Sequence, residues 1–281
     1  MTAPCTARLI LPRRSLASCV RAYVVRDTTG LPPLPAGQRF NHFPATTLCS
    51  LNWFIEGRAQ MLLENRGVLG PLQDPLLFRG PQTRPTISHN PGPVRAFKLL
   101  LFPQALHALT GMPIAAFVDR IVPLASALDG AWLTLADAVL QSNDDESRVA
   151  LIEDFLEPRW HAARHRGGVP AGKVGDWTQA LLLQAATSGW GRSARSVERR
   201  VRLWAGQPLR RLKRLVRAEA SWRLRRADGP SAGWADFAQG AGYADQAHLC
   251  REVRDITGHS PAELWAKAQH DERYWAYRIW G

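Results

Sequence analysis

The sequence predicts a multidomain chain: an α+β region made of a small β-barrel-like set of strands plus helices, followed by an all-α region with two helix-turn-helix units. Three observations predict it. Between Phe40 and Leu101, short apolar runs are broken at intervals by Gly, Pro and Asn, the spacing of short strands joined by turns in a small barrel or sandwich. After Pro103 the texture turns helical, and strands followed by helices read as an α+β unit. Beyond residue 175 one helix–turn–helix pattern occurs twice, 52 positions apart. A chain of 281 residues is expected to hold about two domains and to bury a sizeable core. The expected divisions are 1–160, a linker over 161–175, and 176–281.

In chain order, residues 16–25 read as a helix or a strand, and 31–37 as a Pro-rich loop. Strands are expected over 48–55, 59–63, 76–78 and 94–102. Helices are expected over 104–110, 114–120, 133–140 and 149–156. Trp132, Leu135, Ala136 and Val139 recur at i, i+3, i+4 and i+7, one face of a helix. The acidic residues from Asp144 to Glu146 suit the start of the next helix, where the dipole favours negative charge. Pro158, Gly167, Gly168, Pro170, Gly172 and Gly175 then mark a boundary of partly flexible chain.

The most informative stretch runs from Gly240 to Pro261. A short helical run over 234–239 enters a turn containing Gly240 and Gly242, Asp245 stands at an N-cap position, and a second helix follows. Leu249, Val253 and Ile256 form its apolar stripe, while Ala247, Cys250, Arg251 and Arg254 form another. Gly258 and Pro261 end it. The outline is a helix-turn-helix whose second helix enters a DNA major groove. The earlier copy has a turn at Ser188, Gly189 and Gly191, an apolar stripe of Val197, Val201 and Trp204, and a polar stripe of Arg195, Glu198, Arg199 and Arg202. Adding 52 to Val197, Arg199 and Val201 lands on Leu249, Arg251 and Val253. A long helix joins the copies, with Pro208 in its first turn, Asp228, Gly229 and Pro230 at its end, and Leu212, Leu215, Val216, Trp222 and Leu224 as apolar surface.

These residues carry a resemblance. Residues 176–264 are similar to the DNA-binding domain of the AraC/XylS family of transcription regulators. The matching pieces are Ser-x-Arg-Ser-Val-Glu-Arg-Arg-Val, then Gly-Tyr-x-Asp-Gln-x-His-Leu-x-Arg-Glu-Val and Thr-Gly-His-Ser-Pro. The chain departs from the usual pattern in having Val201, Leu249 and Val253 where Phe is common, and one residue fewer before Pro208. The resemblance implies base contacts from Arg195, Ser196 and Arg199 on the first recognition helix and from Gln246, Ala247 and Arg251 on the second. Chemistry agrees with that assignment: Arg bonds guanine bidentately, Gln does so with adenine, and an Ala methyl suits thymine. Gripping phosphate alone is the other reading of these arginines. Arg202 and Arg254 extend the basic stripes, and His248 either touches the DNA backbone or packs within its unit.

Charge supports the same reading. The net charge is +12, and residues 161–281 hold 21 Lys/Arg against 11 Asp/Glu. Residues 193–226 alone hold 12 against two. Basic charge concentrated on helices is the footprint of phosphate binding. No apolar run approaches the length of a membrane span. Arg8, Arg13 and Arg14 interrupt the N-terminal segment, which therefore does not read as a signal peptide. Cys5, Cys19, Cys49 and Cys250 are scattered without a Cys-x-x-Cys, which argues against disulfides or structural zinc and makes a reducing cytoplasm the expected setting.

Other motifs read as decoys. Gly167 to Lys173 fits the front of a phosphate loop, but Val174 stands where Ser or Thr would hold magnesium. His161 and His165 have helical metal-ligand spacing without a third ligand. No catalytic arrangement and no cofactor are expected. His42, Trp53 and Glu56 are candidates for an effector pocket, with an aromatic strand facing a core as the plainer reading. Tyr274, Trp275, Tyr277 and Trp280 form an aromatic tail that must pack on the domain or on a partner. The expectation is a sequence-specific DNA-binding regulator whose first region senses a small molecule, dimerises, or both. Double-stranded DNA, RNA polymerase and a second copy of the chain are the implied partners. The alternative is a constitutive DNA-binding protein whose first region is only a protein-interaction module.

Overall fold

The structure, a computed structural model, describes residues 6–62, 69–71, 74–164, 174–187, 193–229 and 233–279. The expected linker residues 165–173, the turn at Ser188, Gly189 and Gly191, the phosphate-loop lookalike, and Pro230 and Trp280 lie outside them.

Among the described residues the N-terminal half is two antiparallel sheets, not a closed barrel. One sheet runs β1 (Ala7–Ile10), β2 (Val20–Asp27), β9 (Arg95–Leu101), β4 (Cys49–Glu56), β7 (Leu76–Arg79) and β10 (Ile121–Pro123) from edge to edge. The other runs β3 (Phe40–Phe43), β8 (Thr86–His89), β5 (Gln60–Leu62) and β6 (Leu69–Pro71). The runs expected to be strands are strands, and the stretch expected over 16–25 as a helix or a strand resolves as the end of a 3-10 turn (Arg14–Leu16) followed by β2 from Val20. The helix expected over 114–120 is instead a single 3-10 turn, Ile114–Phe117, leading into β10. Pro113 starts that turn, and the Asp119 N–H donates to the Pro81 carbonyl while the Arg120 carbonyl accepts the Gly80 N–H, taking up backbone groups that a helix would have used.

Alternation across the large sheet separates two environments. Tyr23, Val25, Cys49, Leu51, Trp53, Phe78, Phe97, Leu99 and Leu101 are buried in one core with α1 (Pro103–Thr110), α2 (Ala131–Gln141) and α3 (Asp145–Arg164). Val24, Arg26, Asn52, Arg79, Lys98 and Leu100 alternate with them and face the other way. α3 runs straight through Pro158 to Arg164, into the stretch expected to be linker. Trp160, on the turn after the proline, is buried with its indole N–H on Ser18 Oγ at 3.1 Å, which anchors the continuation.

The C-terminal half holds α4 (Val174–Thr187), α5 (Ala194–Ala205), α6 (Leu209–Asp228), α7 (Trp234–Gly240), α8 (Gln246–Thr257), α9 (Pro261–His270) and the short α10 (Trp275–Ile279). Pro208 is the N-cap of α6, one place before the expected position. Leu212, Leu215 and Trp222 are buried on α6 as expected, whereas Leu224 is exposed.

The two halves are joined by apolar packing. Trp177, Leu181 and Ala185 of α4, Val201 and Ala205 of α5, and Leu212 of α6 belong to the core that also holds Leu106 and Ile114. Trp177 stacks on Phe102 with ring centres 5.6 Å apart, and its indole N–H donates to Gln104 Oε1. The second unit has its own cluster of Trp222, Phe237, Tyr243, Leu249, Val253 and Leu264. It touches the sheets through the Ala45 N–H, which donates to the Ile256 carbonyl at 2.8 Å, and through the tail. Among the described residues no helix is long and apolar enough to cross a membrane.

Candidate nucleic-acid interface

Ser193 caps α5, its Oγ accepting the Ser196 N–H at 3.2 Å. The helix buries Val201 and Ala205 and leaves Arg195, Arg199 and Arg202 exposed, with Ser196 half-buried beside its cap. Arg202 pairs with Glu198 one turn earlier at 3.3 Å, a surface contact that a phosphate could replace. At its end Gly206 turns left-handed at φ 73°, and a Cβ there would lie 2.9 Å from Val118 Cγ2. The first unit thus closes tightly on the 3-10 turn of the N-terminal half.

The second unit repeats the plan. Gly242, at φ 78°, makes the turn that L side chains resist. Asp245 then caps α8, with Oδ1 accepting the His248 N–H at 2.6 Å. Leu249, Val253 and Ile256 are buried as the periodicity predicts, and Gln246, Ala247, Arg251 and Arg254 are exposed. His248 is turned into its own unit: its ring meets Tyr243 edge-on at 5.3 Å and its Nδ1 accepts the Ala244 N–H at 3.4 Å.

What holds α8 in place escaped the sequence reading. Glu252 is 2 % exposed and clamped by two arginines of α6. Arg217 donates from Nε and Nη2 at 2.9 and 2.6 Å, and Arg214 donates from Nε at 2.9 Å while its Nη2 reaches Asp255 at 2.8 Å. These carboxylate contacts hold both guanidiniums above their ordinary pKa, partly offset by burial. An acid at 252 facing basic residues at 214 and 217 was the available signal, but only the packing of α6 on α8 pairs them.

Contacts within the fold shrink the basic footprint. Of the arginines in 193–226, Arg200 is buried with Nε on the Ala185 carbonyl at 2.7 Å, and Arg211 donates to the Thr83 carbonyl. Arg214 and Arg217 serve Glu252, and Arg225 lies over the Trp234 ring at 4.5 Å. These five hold the fold together. Arg195, Arg199, Arg202, Arg210 and Lys213 are exposed to solvent.

The three effector candidates go to three different places. His42 stacks on Tyr274 with ring centres 4.5 Å apart, between the sheets and the tail. Trp53 is fully buried on the helix-facing side, its N–H donating to the Ala136 carbonyl at 2.9 Å. Glu56 is exposed at the end of β4. None of them lines the two cavities on the other face of the sheet, where the neighbours of Trp53, Asn52 and Phe54, do. Those cavities enclose about 570 and 730 Å³ of non-atom space, part of it open to solvent, and share Phe43, Asn52, Arg79, Lys98 and Trp275 as walls. The signal available in the sequence was Lys98, a lysine in the middle of an apolar strand. Among the described residues no cluster of His, Cys, Asp or Glu is arranged to hold a metal ion.

No protein-family profile matches the chain, and no curated protein does. Solved structures do. ToxT from Vibrio cholerae O395 is 10% identical over 80% of this chain and 93% of that one, with a TM-score of 0.38. ToxT from V. cholerae strain SCE256 with an unsaturated fatty acid bound is 11% identical over 85% of this chain and 95% of that one, with a TM-score of 0.36. The AraC-like transcriptional activator CuxR is 13% identical over 97% of this chain and 98% of that one, with a TM-score of 0.25.

Proposed function

We propose that the chain is a sequence-specific DNA-binding transcription regulator of the AraC/XylS type. In this reading residues 176–281 bind double-stranded DNA through α5 and α8, and residues 1–160 govern that binding through a small-molecule effector or through pairing with a second copy. RNA polymerase is the further partner. One observation carries the reading. Arg199 and Arg251, 52 positions apart, are both solvent-exposed on helices of matched build: a side-chain N-cap, a buried apolar stripe and a left-handed glycine at the end. A capped helix presenting Arg from its first two turns is what major-groove reading requires.

Arg195, Ser196 and Arg199 read bases from the first helix, and Gln246, Ala247 and Arg251 from the second. Arg202 and Arg254 grip phosphate, and His248 supports its helix. The test is a binding-site selection from random duplex DNA with the full chain and with Arg199→Ala. The variant is expected to lose about 1–3 kcal/mol on the selected site and to relax preference at one or two positions. Preferences unchanged from the parent would refute base reading, and a uniform loss on every sequence would make Arg199 a phosphate contact.

A further inference from the structure

The aromatic tail has two faces, and they go to different parts of the molecule. Tyr274 and Tyr277 are buried in the cluster of the second unit, with Trp222, Phe237 and Leu264. Trp275 and Ala276 are buried against Ala7 and Val24 of the large sheet. An indole N–H marks each face. Trp222 donates to the Tyr277 carbonyl at 3.0 Å, within the unit, and Trp275 donates to Asn41 Oδ1 at 2.7 Å, across to β3. The two faces are not held alike. The unit side is aromatic packing: Tyr277 is fully buried, with its ring centre 6.1 Å from that of Trp222. The sheet side is largely polar and charged. Glu272 accepts from Thr6, Arg26 and Arg278, and Trp275 lies over the Lys98 ammonium at 5.4 Å and borders both cavities of that face. No Asp or Glu is among the described residues that line those cavities, so lifting Trp275 returns a buried cation to water. Polar contacts trade for water at little net cost, whereas uncovering the two tyrosine rings forfeits their hydrophobic gain.

Tyr274 stands where the tail crosses from the unit to the sheets, and two imidazoles flank it. His42 of β3 stacks on its ring, and His259, in the turn between α8 and α9, has Nε2 2.8 Å from its hydroxyl. The two imidazole centres are 6.1 Å apart. The Lys267 ammonium of α9 has only protons to give, so His259 Nδ1, 3.3 Å from its Nζ, accepts, and that ring is neutral. A proton on Nδ1 would set donor against donor and cation against cation. The charged or titratable groups that act on His42 are His259, Arg273, Asp271 and Lys267; on His259 they are Lys267, Glu263, Arg254 and Arg273. Each imidazole thus meets more basic groups than acidic ones. Burial first, then these basic groups, pushes His42 down to about 4 and holds His259 below its ordinary value.

We propose that the tail is a strap whose break line lies on its sheet side: it stays with the second unit, and acid frees that unit from the sheets by charging His42 and His259 on either side of Tyr274. Release returns both imidazoles to water and to the ordinary value near 6.5. The docked form therefore loses weight as pH falls from there toward about 4. The first unit does not follow, because Val201 and Ala205 of α5 are built into the core of the N-terminal half. Acid thus changes what holds α8 relative to α5. The strap rests on contacts within the chain and stands or falls apart from what the two helices bind.

The two indole protons read the break line directly. The full chain, without DNA, is labelled isotopically at tryptophan, and the signals are assigned with Trp222→Phe and Trp275→Phe. Protection of each indole N–H is compared between pH 7.5 and pH 5, with the intrinsic pH dependence of exchange divided out. Trp275 is expected to lose about tenfold of its protection, the share of His42 alone after allowing for its partial exposure, and more with His259. Trp222 is expected to change less than about twofold. His42→Phe combined with His259→Gln keeps a ring on Tyr274 and a hydrogen-bonding side chain, takes up no proton, and should hold Trp275 steady across the range. Should that pair fail to fold, His42→Gln alone should at least halve the loss on a logarithmic scale. Parallel loss at both indoles would mean that the tail leaves the unit or that the whole chain melts, and would overturn the strap. Protection of Trp275 that ignores pH, or an acid response that survives the histidine substitutions, would overturn it as well.

Discussion

Replacing Glu252 with Ala is the most direct probe of how the second recognition helix is held. The carboxylate is 2 % exposed and accepts three hydrogen bonds from Arg214 and Arg217, whose side chains are 38 % and 34 % exposed. Breaking a fully buried ion pair by removing one partner costs about 3–5 kcal/mol, because the other charge is stranded. Here the stranded arginines are a third exposed and can recover water, and Arg214 keeps Asp255. The expected loss is therefore lower, roughly 2–3 kcal/mol. At ~2–4 °C per kcal/mol for a chain approaching this length, the melting temperature should fall by roughly 4–12 °C. Glu252→Gln, which keeps the shape and one acceptor oxygen, should lose less. Calorimetric melting of the full-length variants measures the cost, and amide exchange locates it: protection should fall in α8 and hold in β9. A Glu252→Ala protein melting within 1 °C of the parent would show that apolar packing alone positions α8.

Two further outcomes follow from the junction between the halves. Gly206→Ala should cost roughly 1–2 kcal/mol for left-handed backbone, plus the clash of its methyl with Val118 and Ile114, whereas Gly258→Ala, at φ 80° but with its nearest neighbour 3.7 Å away, should cost the backbone term alone; equal melting temperatures for the two would refute the close approach. His42 is pushed down to about 4 by burial first, then by His259 and Arg273. Its unfolded form binds more protons than its folded form between about 4 and the ordinary 6.5. Stability should therefore fall as pH drops through that window and stay flat in this respect above it. The loss is about 1–2 kcal/mol after allowing for its partial exposure. His42→Gln should flatten the slope in a denaturant-melt series between pH 4 and 7, and an unchanged slope would show that another group drives it.

The sequence by itself determined the local elements and the chemistry they present. Short apolar runs broken by Gly, Pro and Asn marked β4, β7 and β9, and the period of 3.6 together with Asp245 and the glycines marked α5 and α8. These signals are local: caps, turns and amphipathic stripes act within a few residues, so they survive in a one-dimensional reading. The exposed faces of Arg195, Arg199, Gln246, Ala247, Arg251 and Arg254 were legible for that reason. Only the tertiary structure decided what distant segments do to one another. It sent the tail to the sheet, with Trp275 on Asn41 and Glu272 on Arg26, 234 and 246 positions away. It ran one core from Leu99 into Trp177, and it paired Glu252 with α6. It also turned Trp53 into the core and so gave the cavity to Asn52, Lys98 and Arg79. Strand alternation says that neighbours face opposite ways, but not which face meets helices; that is set by the bulk of the whole layer. Cys49, Leu51, Trp53, Phe97, Leu99 and Leu101 fill the helix-facing side, and the smaller and charged residues between them are left to line the space opposite.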